Sequence, residues 1–207
     1  MQIKPRKTPV QARSAASVQA ILEATVQVLL QHGKMKLTTT RVAERAGVSV
    51  GTLYQYFPNK SALLQALLRQ KLNGVAASIE QVSEDMRGAP LAEMAEALVT
   101  AFVAAKFKHS EASVALYAVA EDLEGKIIAR EMQMRAVKAI ANMLKSSVEK
   151  VSGDPEVIAQ TLQGAMSGVS RATLELGVKR GAMKAMQQEL TMLAIAYFQA
   201  SARSHSF

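Results

Sequence analysis

Apolar residues recur at intervals of three and four positions along most of the chain, which is the spacing of an amphipathic α-helix. This spacing predicts a first helix over residues 14–32, and Gly33 is a residue typical of a helix end. It also predicts short helices over 39–46 and 50–56 and a long helix that begins near residue 60. No stretch of the sequence alternates with a period of two, so an all-α protein is predicted.

Proline and glycine mark the predicted ends of the later helices. Gly88 with Pro90 predicts one break, Gly153 with Pro155 predicts another, and Gly125 predicts a bend. The stretches between them are rich in alanine, leucine, methionine, glutamate, lysine and glutamine, which are good helix formers. About nine helices are expected in all.

The last two predicted helices carry a 3.5-residue apolar repeat, over residues 158–176 and 183–197. Such a repeat is the seam of helices that pack nearly parallel or antiparallel to each other. It fits either an intramolecular hairpin or the interface of a two-fold homodimer, in which Gly164 and Gly168 allow close backbone approach. The residues predicted to form a dimer interface are Ile158, Leu162, Gly164, Ala165, Gly168, Val169, Met186, Leu190, Leu193 and Tyr197.

Composition excludes several classes of protein. Of the 207 residues, 49% are hydrophobic and 20% are charged, so the chain can bury a core in one or two domains. The absence of cysteine excludes disulfides and thiolate metal sites, and the three histidines lack metal-ligand spacing. There is no HExxH, no glycine-rich phosphate loop and no GxSxG, so the sequence predicts neither an enzyme nor a cofactor or metal. No apolar run is long enough to span a membrane.

Positive charge is concentrated near the N-terminus. The formal net charge is +8, and residues 1–75 hold eleven basic and two acidic side chains. A basic unit beside a nearly neutral one indicates a polyanion partner, such as nucleic acid, for the first unit. The first residues form a basic arm with Lys4, Arg6, Lys7 and Arg13. Arg13 and its polar neighbours interrupt the apolar run that a secretory signal needs, so a cytoplasmic protein is expected.

Residues 38–60 carry the pattern of a helix, a tight turn and a second helix. Thr38 suits the N-cap of the first helix, and Gly47 permits the left-handed backbone that ends it. Ser49 suits the N-cap of the second helix. Two short helices joined by a glycine-containing turn form a helix-turn-helix.

The second helix of this motif has no acidic residue and offers small or hydrogen-bonding side chains along one side, which suits contact with base edges. Leu53 and Phe57 are predicted to anchor it to the neighbouring helices. The hydroxyls of Tyr54 and Tyr56 suit phosphate oxygens, and Lys60 begins the following helix, where an anion is favoured.

The run AGVSVGTLYQYFPNKSALL resembles the signature of the TetR family of bacterial transcriptional regulators, and the likeness covers residues 14–74. It implies a DNA-binding domain over 1–58, with the helix-turn-helix at 38–57, and a helical effector-binding and dimerisation domain over 59–207. It further implies a ligand-released repressor that acts as a homodimer on a pseudo-palindromic operator in double-stranded DNA. The alternatives are an activator of the same fold and a helical interaction module that binds polyanions without sequence preference.

The resemblance also implies roles for single residues. It implies phosphate contacts at Thr39, Tyr54, Tyr56 and Lys60, and base-edge or groove contacts at Thr40, Ser49, Val50, Gly51, Thr52 and Gln55. Family members often carry a larger or charged residue where this chain has Val50 and Gly51, which favours recognition through methyl contacts and DNA shape. The basic arm is expected to enter the adjacent minor groove.

A small apolar effector is the remaining partner that the resemblance implies. Methionine and phenylalanine in the central helices can line its pocket or can simply fill a core. The residues predicted to line the pocket are Met94, Phe102, Phe107, His109, Tyr117, Met132, Met143 and Met166. Glu121 and Arg130 are further polar candidates in the same region.

Overall fold

The computed structural model describes residues 9–108, 110–121, 123–177 and 181–202. These ranges contain nine α-helices and no β-strand, which confirms the all-α prediction for them. The helices are α1 (Pro9–Lys36), α2 (Thr39–Ala46), α3 (Val50–Tyr56), α4 (Lys60–Asp85), α5 (Leu91–Phe107), α6 (Ser110–Ala120), α7 (Leu123–Lys145), α8 (Pro155–Glu175) and α9 (Ala182–Ala202).

Most of the predicted helix ends are confirmed. Gly33 interrupts α1 with φ 72° and ψ 169°, and the breaks predicted before Pro90 and at Pro155 precede α5 and α8. The bend predicted at Gly125 is wrong, because this residue is buried inside α7. A glycine in a helix costs only about 1 kcal/mol relative to alanine, so tertiary packing readily overrides it.

The chain forms two compact units, Met1–Leu68 and Arg69–Phe207, and α4 runs continuously from the first into the second. The domain boundary expected between residues 58 and 59 lies at the start of this helix, whereas the first compact unit also includes the opening turns of α4. These turns contribute Leu63, Leu64, Leu67 and Leu68 to the buried residues of the first unit. Its other buried apolar side chains are Ile21, Leu22, Ala24, Val28, Leu29, Leu37, Val42, Ala43, Leu53 and Phe57.

The second unit is built around three closely packed helix pairs, α5 with α9, α7 with α8, and α8 with α9. Phe102 and Phe198 are the largest fully buried side chains of its core. At its edge, α4 is joined to α7 by polar side chains. Arg135 donates two hydrogen bonds to Glu80, at 2.9 and 2.6 Å, and a third to Asn73 at 2.6 Å.

The apolar repeat of α8 and α9 divides between two faces. Ile158, Leu162, Met186 and Leu190 lie in the core of their own unit, with at most 7% of each exposed. These four side chains therefore serve intrachain packing. The other seam residues are exposed or partly exposed, namely Gly164, Ala165, Gly168, Val169, Leu193 and Tyr197. A 3.5-residue spacing marks a packing face, but it does not say whether the neighbour belongs to the same chain.

No helix in the described ranges is long and apolar enough to cross a membrane. The same ranges hold no group of three or more histidine, aspartate or glutamate side chains that could bind a metal ion.

Candidate nucleic-acid interface

The helix-turn-helix owes its shape to local capping contacts. The Thr38 hydroxyl accepts a hydrogen bond from the backbone N–H of Arg41 at 3.3 Å, and Gly47 ends α2 in the left-handed region with φ 68°. The Ser49 hydroxyl accepts from the backbone N–H of Thr52 at 2.9 Å and thereby caps α3. The predicted caps of both helices are confirmed.

α3 is anchored on one side and open on the other. Leu53 is fully buried and Phe57 is 7% exposed, as predicted for the two anchors. Gly51, Tyr54 and Gln55 are exposed, whereas Val50, Thr52 and Tyr56 are partly exposed. The Thr52 hydroxyl lies 2.8 Å from the Ser49 hydroxyl. The outward side of α3 is therefore small, uncharged and rich in hydroxyl groups.

Two hydroxyls expected at phosphates lie side by side. Thr39 Oγ1, at the start of α2, is 3.2 Å from Tyr54 Oη on α3. One hydroxyl donates to the other, so the second hydrogen of the pair stays available for a phosphate oxygen. Thr40 is exposed next to Thr39. The fold thus brings together residues that lie on different helices and that the family resemblance assigned to one phosphate-binding role.

Lys60 has a structural contact that the sequence did not reveal. Its Nζ donates to the backbone carbonyl of Lys34 at 2.8 Å. Arg41 does the same nearby, with Nη1 donating to the carbonyl of Lys36 at 2.6 Å. Arg41 therefore ties the end of α1 to α2, and Lys60 ties it to the start of α4. An ammonium has three donors, so Lys60 keeps two for an anion.

Some residues of the prediction lie outside the described part of the chain. These are Lys4, Arg6 and Lys7 of the basic arm and His109 of the expected effector pocket. The side chain of Arg13 is likewise not described. Their roles stay predictions.

The residues expected to line an effector pocket lie mostly inside the core of the second unit. Met94, Phe102, Met132, Met143 and Met166 are buried. Phe107 packs partly buried against that core, and Tyr117 is half-buried on α6. Two surface openings of about 400 Å³ are present, one between α4 and α7 and one between α8 and α9. Of the predicted lining residues, Met143 borders the opening between α4 and α7. The pocket lining therefore stays a prediction.

Around Tyr117 the structure gathers charged groups from α5, from α8 and from Glu121, which directly follows α6. Lys106 Nζ lies 5.4 Å and Arg171 Cζ lies 5.0 Å from the centre of the Tyr117 ring. Arg171 also forms ion pairs with Glu121 at 3.0 Å and with Glu175 at 2.8 Å. Glu121 was a polar candidate from the sequence, whereas Lys106 and Arg171 were missed because no local pattern links α5 with α8. Arg130, the other candidate, is exposed on α7.

The Tyr117 phenol should titrate above the ordinary range of a tyrosine. Burial raises the pKa of Tyr117 to about 12 from the ordinary value of 10; Arg171 opposes this rise and Glu175 adds to it. The folded state then holds this proton more tightly than the unfolded state. Stability is therefore present below pH 10 and is lost between about pH 10 and pH 12. In an ultraviolet pH titration, Tyr117→Phe should remove the tyrosine component near pH 12; an unchanged titration would contradict this assignment.

Comparison with known proteins matches both parts of the chain. Residues 21–67 match the family described as bacterial regulatory proteins, tetR family, and residues 90–198 match the tetracyclin repressor-like C-terminal domain. The second match by itself spans more than half of the chain.

Curated relatives align over shorter segments. The fatty acid metabolism regulator protein of Bacillus subtilis is 34% identical over 79 residues, which are 38% of this chain and 39% of that protein. RutR of Escherichia coli K12 is 40% identical over 82 residues, which are 40% of this chain and 38% of RutR. The transcriptional repressor KstR of Mycolicibacterium smegmatis is 38% identical over 63 residues (30% and 31%). The alignments thus span well under half of each relative's length.

Solved structures share the fold over most of the chain. A transcriptional regulator of the tetR family from Mesorhizobium loti has a TM-score of 0.73 at 20% identity, covering 91% of this chain and 97% of its own. FadR of Bacillus subtilis, in complex with stearoyl-CoA, has a TM-score of 0.70 at 19% identity (86% and 98%). A SmeT–triclosan complex has a TM-score of 0.65 at 19% identity (93% and 94%).

The geometry and the comparisons lead to the same conclusion. An anchored helix with an open, uncharged face and neighbouring hydroxyl and ammonium groups is the arrangement with which a helix-turn-helix contacts DNA. The matched relatives are named as regulators and not as enzymes. The chain belongs to the TetR family of bacterial regulatory proteins.

Proposed function

We propose that the protein is a homodimeric repressor that binds a pseudo-palindromic operator and is released by a small effector. DNA binding is supported above all by the open face of α3, which lies beside the paired hydroxyls of Thr39 and Tyr54. These hydroxyls and Lys60 suit phosphate oxygens on both sides of a groove, so they would position α3 without reading sequence.

Base recognition is assigned to the outward side of α3 and the residues next to it. The methyl groups of Val50 and Thr52 suit a thymine methyl, and Gln55 can bond base edges. Gly51 has open space beyond its missing side chain apart from Ser49 Oγ at 3.7 Å, so the backbone there can lie close to DNA. Thr40 and Ser49 complete the proposed groove contacts. With no charged residue on this side, DNA shape would supply a large part of the specificity.

The proposed dimer interface is the exposed apolar face of α8 and α9. Val169, Met192 and Leu193 are 41%, 61% and 43% exposed, and they line an open groove of about 410 Å³. Gly164 and Gly168 have no atom within 4 Å of where a side chain would begin, so a second helix can approach closely. A second copy of this chain is the proposed occupant because a two-fold axis would bring this apolar face of both copies together and bury it. Two recognition helices would then contact half-sites about one DNA turn apart.

The regulatory part of the proposal is supported by the relatives. KstR is named a repressor, and the FadR and SmeT structures hold stearoyl-CoA and triclosan. An effector acts only if it binds the DNA-bound and free conformations with different affinity, typically by 1–3 kcal/mol. The α4 helix is continuous through both units and is the proposed link between effector and DNA.

Selection from randomised duplexes tests the proposal directly. The enriched sequence should be a pseudo-palindrome, and fluorescence anisotropy near physiological salt should give an affinity at least ~10³-fold above that for random DNA. A helical module that binds polyanions without preference would enrich no sequence. An activator would enrich the same kind of site, and transcription from a promoter carrying that site separates it from a repressor.

Two substitutions separate positioning contacts from base reading. Tyr54→Phe should weaken binding to operator and random DNA by a similar factor, because it removes a phosphate contact and leaves the ring in place. Thr52→Ala should instead change which operator variant is preferred, by about 1–3 kcal/mol at the contacted base pair. Both are measured by anisotropy on a panel of operator variants. A uniform loss for Thr52→Ala would contradict its assignment to base reading.

A further inference from the structure

Lys106 is a partly buried cation at the end of α5 that has no carboxylate partner among the described residues. None of the ion pairs there involves it, and the charged group that influences its pKa is another cation, Arg171. Burial and Arg171 both lower the pKa of Lys106. A cation withdrawn from water without a partner is costly, so it is seldom retained for stability alone.

The Tyr117 hydroxyl beside it is also unsatisfied. Its oxygen is buried and has no hydrogen-bond partner in the described part of the chain, although a buried tyrosine hydroxyl usually finds one. The ring of Tyr117 holds Lys106 Nζ at 5.4 Å and Arg171 Cζ at 5.0 Å, both within cation–π range. Among the described residues, the site therefore offers a cation and a hydroxyl donor without an acceptor bound to either.

The charge of Arg171 is already balanced. Its guanidinium forms ion pairs with Glu121 and Glu175, whereas Lys106 has no ion-pair partner among the described residues. Further along the inner side of α8, Gln163 Oε1 is another buried oxygen without a partner in the described ranges. Unsatisfied polar atoms thus occur on both α6 and α8, two helices that pack against each other.

Buried apolar side chains lie close to the polar groups along the same helices. Phe102 precedes Lys106 by one helical turn and is 2% exposed. Leu116 precedes Tyr117, and Leu174 follows Arg171 by one turn; each is 2% exposed. A ligand whose charge lies at Lys106 would place its remaining atoms near these side chains, which suits an organic acid better than an inorganic ion.

We propose that Lys106 and Tyr117 bind the carboxylate of an organic acid with an apolar body, and that this acid is the effector. Lys106 pairs with the carboxylate charge, and the Tyr117 hydroxyl donates a hydrogen bond to a carboxylate oxygen. This inference rests on the proposed ligand response and specifies the chemical class of the ligand.

Calorimetry with the full-length protein and two matched probes tests the site. 4-Phenylbutyrate should bind, and 4-phenylbutyramide, which lacks the charge, should bind about 10- to 100-fold more weakly. Lys106→Met should reduce the affinity for the carboxylate to that for the amide. Tyr117→Phe should lower the affinity for 4-phenylbutyrate by about 3- to 10-fold. Lys138→Met replaces an exposed lysine of α7 and should leave both affinities unchanged.

Thermal melting gives a readout that needs no ligand. Removing an uncompensated buried cation should raise the midpoint of ligand-free Lys106→Met by about 2–4 °C, whereas Lys138→Met should not shift it. Equal affinity of wild type for the two probes, no binding of either, or full carboxylate affinity in Lys106→Met would each overturn the proposal.

Operator binding separates this inference from the proposed function. If 4-phenylbutyrate binds through Lys106 and lowers operator affinity, the carboxylate site and the proposed ligand-released repressor are both supported. If it binds through Lys106 and leaves operator affinity unchanged, the carboxylate site stands but its assignment to the effector is overturned. If the ligand-free protein shows no operator preference, the DNA-binding proposal fails, while the calorimetric comparison still decides the carboxylate site.

Discussion

Leu193→Asp is expected to convert the proposed dimer into folded monomers. The residue is 43% exposed in the single chain, so aspartate is tolerated there, but a dimer would have to bury two carboxylates without partners across its two-fold axis. A buried unpaired charge costs about 3–5 kcal/mol, which raises the dissociation constant by at least ~10²-fold. Light scattering should show a monomer at micromolar concentration, and operator affinity should fall to that of a single half-site.

Matched variants distinguish assembly from folding. Met134→Asp changes a methionine on α7 that is 63% exposed, and it should leave the dimer intact. Leu190→Asp is not equivalent to Leu193→Asp, because Leu190 is 2% exposed and lies in the core, so a charge there would unfold the unit. A Leu193→Asp protein that remains a dimer with unchanged affinity between its subunits would exclude this face as the interface.

Leu53→Ala is expected to abolish operator binding while leaving the dimer in place. Leu53 is fully buried and anchors α3, and a buried leucine truncated to alanine costs about 2–5 kcal/mol. That is a large share of the 5–15 kcal/mol that typically stabilises a whole domain, and the first compact unit is small. Circular dichroism should show part of the helical signal melting at lower temperature, and light scattering should still report a dimer.

The control for Leu53→Ala is a substitution that conserves volume. Leu53→Met should cost less than about 1.5 kcal/mol and should keep operator binding within a few-fold of wild type. If Leu53→Ala melted like wild type and bound the operator normally, the anchoring role of Leu53 would be refuted. If both variants lost binding with unchanged melting, the side chain would have to contact DNA itself, contrary to its complete burial.

The helix-turn-helix shows how much a local sequence determines. The caps at Thr38 and Ser49 and the left-handed Gly47 are all as predicted. Each depends on a hydrogen bond or a backbone angle within about four residues, so the information lies in the adjacent sequence. The bend predicted at Gly125 is wrong because a glycine only weakly disfavours a helix. Tertiary packing keeps this residue in the first turn of α7.

Local patterns therefore suffice to predict the helical class, the position of the helix-turn-helix and its basic surroundings, because periodicity, capping and charge are local properties. Which face of α8 and α9 packs into the core is visible only in the folded chain. A 3.5-residue repeat looks the same whether the helix packs against its own chain or against a second copy. Only the tertiary structure brought Lys106 to Tyr117 and Arg171, and Thr39 to Tyr54. These contacts join different helices, and no pattern along the chain records the distance between side chains that folding brings together.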